Sequence, residues 1–128
     1  METTTHNPTD GIYATGGSWA HAIEVRNPDR IVYVAGTMGL DADSVAGASL
    51  EDQLDLVWNN IRRILAEADM TVDNIVRVTS YLRDVAFAGP NGEARVAALG
   101  GRPVPTTAIV VQTLEPDWLV ELEVIAAA

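Results

Sequence analysis

The hydrophobic positions of this chain follow two different rhythms. From Trp19 to Val25 and again from Arg30 to Gly36, apolar residues alternate with others, the period of a strand with one buried face. Between these runs lies Asn27-Pro28-Asp29, which is turn chemistry, so the pattern predicts a hairpin with Trp19, His21 and Ile23 on one face of its first strand. The rhythm then changes. Leu50, Leu54, Val57, Ile61, Ile64, Leu65 and Ala68 recur at helical spacing, with Ser49 placed as the N-cap and Asp52 three residues on. Glu51, Asp52 and Asp55 complement the positive start of that helix, which is expected to end near Asp69.

The segment "DNIVRVTSYLRD" returns to a strand, with Val76, Val78 and Leu82 sharing a face. A short helix is expected from about Asn91, stopped by Gly100-Gly101. Two more strands, "TTAIVVQT" and "WLVELEVIA", are joined by "LEPD", with Trp118 anchoring the turn before the last strand. The predicted order is ββαβαββ, an α+β fold with a mixed sheet and two helices packed on one face. Residues 1–18, rich in Thr, Gly, Asn and Asp, read as a loosely ordered arm ahead of one domain spanning 19–128. In the last strand Glu121 and Glu123 face one way while Val120, Leu122 and Val124 face the other.

Composition narrows the functional classes. A hydrophobic share of 48% in 128 residues is high for a small monomer, which points to apolar surface hidden between subunits. Asp and Glu number 18 against eight basic residues, all arginine, for a net charge of −10. Such a chain repels phosphate backbones, so neither nucleic acid nor an anionic membrane is an expected partner. Cysteine is absent, which removes disulfides, thiolate chemistry and cysteine metal sites. The first residues carry neither a basic start nor an apolar run, and no stretch approaches a membrane span, so the cytoplasm is the expected location. There is no HExxH, no GxSxG, no phosphate loop, and His6 and His21 stand apart, so no metal or cofactor is expected.

The remaining signal is a set of segments: "VYVAG", "MTVDNIVRVTSYLRD", "RPVPTT" and the closing "VELEVIA". Together with the element order they resemble the RidA family, also called YjgF or L-PSP-like, whose best-known members are reactive-intermediate imine deaminases. The resemblance runs from about Trp19 to Ala127. It implies a chorismate-mutase-like homotrimer with small-molecule clefts between subunits. It also implies that Glu121, the first acid of the closing E-x-E strand, faces the cleft and positions a water. Gly36 keeps a glycine whose backbone lines the pocket, and Asn91 falls where many members place an asparagine. Three positions depart from the family pattern. Pro105 stands where the deaminases hold an arginine that grips the substrate carboxylate, Thr107 where a cysteine is common, and Trp19 where a tyrosine is common; Thr106 flanks the same place. Arg102, three positions before Pro105, is the nearest candidate for a replacement cation. The expected function is hydrolysis of an imine or enamine other than the usual 2-imino acids; the alternative is a non-catalytic trimer that binds a metabolite or a protein.

Overall fold

The computed structural model describes all 128 residues. Its centre is a four-stranded mixed sheet in the order β3-β6-β4-β5, built from Ile31–Met38 (β3), Ile75–Leu82 (β4), Thr106–Val110 (β5) and Val120–Ala127 (β6). The closing strand β6 is central and runs antiparallel to both β3 and β4, while β4 and β5 run parallel, joined through the second helix. Helices Leu50–Glu67 (α1) and Ala88–Ala98 (α2) cover one face. Val34, Val78, Leu82, Val120, Leu122 and Val124 meet Leu54, Val57, Trp58, Ile61 and Leu65 there in a single core. The α+β architecture read from the sequence is therefore the one observed.

The first expected hairpin does not form. Ala22–Arg26 (β2) makes no ladder with β3; it pairs instead with Glu2–His6 (β1), with Glu2 opposite Arg26 and His6 opposite Ala22. The stretch expected as a loose arm thus begins with a strand, and the element order is βββαβαββ. The cause is competition for partners. Asn27 turns with a positive φ of 49°, and just beyond it the backbone N–H groups of Asp29 and Arg30 both donate to the Ala128 carbonyl. That hands β3 to β6, where Val34 lies opposite Val124 in the core. The Thr3-Thr4-Thr5 run, β-branched and therefore suited to extended backbone, completes β2 instead. Glu24 in this ribbon accepts from Arg26 and from His6 at 2.8 Å, and these contacts, Arg26 first, hold its carboxyl below the usual pKa.

The helices follow local chemistry. Ser49 Oγ accepts from Asp52 N at 3.1 Å, as its capping position predicts. The second helix starts three residues before Asn91, at Ala88, without any side-chain cap; Pro90 sits in its first turn, where a missing N–H costs nothing. Its end is as expected, with Gly100 and Gly101 both at positive φ. No helix is long and apolar enough to cross a membrane.

Candidate functional site

The sheet face away from the helices is bare. Tyr33 is 74% exposed and Ile109 47%, and around them stand Arg77, Thr79, Tyr81, Thr107, Glu121, Glu123 and Ile125. The alternation of β6 puts both acids here while Val120, Leu122 and Val124 are buried on the other side. The two acids differ in their engagement. Glu123 accepts a 2.7 Å hydrogen bond from the Tyr81 hydroxyl, and that carboxylate, which favours the protonated phenol, raises the tyrosine's pKa. Glu121 accepts no hydrogen bond from any group of its own chain, and no cation pairs with it.

Glu121 lies instead against the backbone of β3. The β3–β6 register slips between Val34 and Thr37, so Ala35 and Gly36 bulge out of the ladder beside Glu121. A Cβ at Gly36 would overlap Oε1 of Glu121 and approach its Cδ to 3.1 Å. Glycine is what allows the carboxylate to rest there. Gly36→Ala is therefore expected to swing the Glu121 carboxylate, the free end of a flexible half-exposed side chain, away from β3 at a cost of no more than about 1 kcal/mol in urea unfolding. A larger loss would mean that the carboxylate is held against the strand.

A second group gathers beyond the far edge of the sheet. Ala20 forms a parallel bridge to Pro105, its N–H donating to the Val104 carbonyl at 3.1 Å, which seats Trp19 beside the start of β5. Trp19 packs edge-on to His21 with ring centroids 5.0 Å apart, and Tyr13 closes the cluster at 5.2 Å from His21. His21 binds the Tyr13 carbonyl at 2.9 Å, a structural role. On the helix-covered side of β5, Trp19, Asn91, Arg95 and Thr106, with Ala88, Gly92 and Ala108, line a cavity of roughly 250 Å³. Asn91 is buried, and its side-chain Oδ1 has no hydrogen-bond partner.

The residues named from the sequence therefore fall into two sets. Gly36 of the edge strand β3 and Glu121 of its neighbour β6 sit together on the bare face. Trp19, Asn91 and Thr106 sit at the β5 edge on the other side of the sheet, while Thr107, 2.9 Å from Arg77 Nη2, is on the bare face of that same edge. Pro105 is buried at the Ala20 bridge and brings no donor. Arg102 does not supply the missing cation: its Nη2 donates to the Val72 carbonyl at 2.8 Å and it does not line the cavity. The arginine that does is Arg95, which the sequence reading passed over, although it lies one helical turn after Asn91 and so on the same face. No group of three or more His, Asp or Glu side chains is arranged to hold a metal ion.

Comparison with known proteins matches this architecture. A sequence model for Endoribonuclease L-PSP matches residues 11–128. A RutC family protein of Pyrococcus abyssi is 30% identical over 112 residues, covering 86% of each chain. The RutC family protein UK114 of Drosophila melanogaster is 34% identical over 101 residues, 77% of this chain and 72% of its own. A Yersinia pestis protein of the conserved Rid family, its function described as unknown, superposes over the full length of both chains with a TM-score of 0.84 and 26% identity. In sequence, sheet order, helices and E-x-E closing strand alike, this chain belongs to the RidA/YjgF/L-PSP family.

Proposed function

We propose that this protein hydrolyses a small imine or enamine in a cleft built between copies of the chain, with Glu121 orienting the water. The observation that carries the reading is the pair of half-sites on opposite faces of the sheet, one toward its β3 side and one at its β5 edge. In one chain the sheet itself separates Glu121 from Trp19, Asn91 and Thr106. A head-to-tail contact would set the β3 side of one copy against the β5 edge of the next, and such contacts between unlike surfaces form a ring when the rotation closes. On the bare face the large side chains of Tyr33 and Ile109 stand exposed among polar neighbours, as at the surface of an assembly contact. A homotrimer follows from the family likeness, and three equivalent clefts follow from the ring.

The chemistry asks little of the protein. The imine carbon is already electrophilic. Water adds to it while the Glu121 carboxylate takes one water proton and passes it to the nitrogen, giving a carbinolamine. The hydroxyl proton then moves by the same carboxylate to the nitrogen as the C–N bond breaks, so ammonia leaves, the carbon remains as a carbonyl and Glu121 is again ionised. An acid with no internal hydrogen bond, placed by a bulge beside Gly36, is suited to that role. Nucleic acid is a poor alternative substrate in spite of the nuclease wording of the family description, because a net charge of −10 opposes phosphate binding.

The test generates imines in situ with an amino-acid oxidase and traps them with semicarbazide. The protein is expected to divert imine from the trap into free carbonyl product and ammonia. No diversion at protein concentrations matching the oxidase, with 2-imino acids and uncharged imines alike, would defeat the reading. Binding of such compounds without turnover would favour a metabolite-binding trimer, a reading that the donorless Pro105 supports.

A further inference from the structure

We infer that the Arg95–Asn91 cavity is a binding site for the carboxylate of a small organic acid, with Arg95 taking over from the α2 helix the anchoring that Pro105 cannot give. Arg95 is only 7% exposed, yet it forms no ion pair with any of the chain's 18 acidic side chains. A buried cation without a counter-charge is costly, and proteins ordinarily supply it with an anion. Its single side-chain hydrogen bond runs from Nη1 to the Ser18 carbonyl at 2.7 Å. That bond fixes one end of the guanidinium and leaves four of its five N–H groups without a protein acceptor. Burial lowers its pKa from the ordinary arginine value, as expected for a cation that the protein alone does not compensate.

The rest of the cavity fits the same ligand. Asn91 is 3% exposed and its Oδ1 is buried without a partner, an acceptor for a donor group of the ligand, while Nδ2 of the same carboxamide can donate to an anion beside Arg95. Thr106 Oγ1 already donates to the Val104 carbonyl at 3.1 Å, so the hydroxyl can only accept; it suits the ligand's other end rather than its carboxylate. Trp19, Ala88 and Ala108 form apolar walls. A volume of roughly 250 Å³ limits the occupant to a few carbons beyond the carboxylate. All of this lining comes from one chain, so binding of the acid does not depend on assembly. The inference rests on the function proposed above only for turnover of the ligand.

The experiment titrates 2-oxobutanoate and its methyl ester into the ¹⁵N-labelled full-length protein. The acid is expected to shift the signals of Trp19, Asn91 and Thr106, and the ester to bind about tenfold or more weakly, the loss of a charge-assisted pair. Arg95→Met is expected to abolish the preference for the acid, Arg95→Lys to keep part of it, and Arg102→Met, outside the cavity, to leave it intact. Equal binding of acid and ester, binding that maps elsewhere, or no binding at all overturns the inference, as does a preference that survives in Arg95→Met. Should Arg95→Met fail to fold, the acid-to-ester ratio in the unaltered protein and in Arg95→Lys decides. Failure of the proposed function reads differently: acid binding would remain sensitive to Arg95 while no imine is hydrolysed.

Discussion

Glu121→Gln is expected to lower imine hydrolysis by about a hundredfold or more, the usual contribution of a positioned general base. The amide keeps the shape of the side chain and its place against Gly36, so the fold has no reason to change. What disappears is the group that accepts a proton from water. Because Glu121 takes no hydrogen bond from the chain, no internal partner is orphaned by the substitution, and thermal stability should stay within about 0.5 kcal/mol of the parent. Steady-state rates and a melting curve on the same sample check both halves. Glu123→Gln is the control. Its carboxylate is engaged by Tyr81 at 2.7 Å, so its loss should return the tyrosine's pKa toward normal and leave hydrolysis far less affected.

Gln53→Ala is expected to produce the largest loss of stability from a polar position, about 2–5 kcal/mol. Gln53 is 2% exposed on the first turns of α1 and uses its whole amide. Nε2 donates to the carbonyls of Gly47 at 2.9 Å and Asp117 at 2.7 Å, and Oε1 accepts from Leu119 N at 2.9 Å. The side chain thereby ties the helix start to both the loop before it and the turn that launches β6. Truncation takes the partner from the two carbonyls and the one N–H and leaves a cavity under the helix start. Gly39 and Gly47 press so closely on the backbone of Gln53 and Asp52 that the loop cannot easily collapse into it. Urea unfolding at equilibrium measures the cost. Since β6 begins at Val120, one residue before Glu121, activity should fall as well, without any contact between Gln53 and the cleft.

Much of this molecule is legible in its residues because local and global signals agree. Ser49 caps α1, the helical spacing from Leu50 to Leu65 fills the core, and the alternation of β6 sorts Glu121 from Leu122. The start of α2 is not legible, since Ala88 carries no cap and Asn91, which looks like one, is turned into a cavity. The hairpin fails for a different reason. Which strands pair is decided between segments distant in sequence, and β3 prefers Val124 and its neighbours over the adjacent β2. The same applies to β1, whose threonine-rich composition resembles a loop until β2 offers it an edge. As for the site, the family pattern marks positions but not their placement across the sheet. Arg95 escapes notice because no motif surrounds it; only its burial without a counter-ion singles it out.

The division of the cleft between neighbouring copies is tested most directly by subunit mixing. Glu121→Gln damages the β3-side half and Trp19→Ala the β5-edge half, and each variant alone should be nearly inactive. Unfolded together in equal amounts and refolded, the mixture should regain about one quarter of the parent activity, because one contact in four then joins two undamaged halves. A mixture no more active than its two components would place both halves in the same chain and contradict the account.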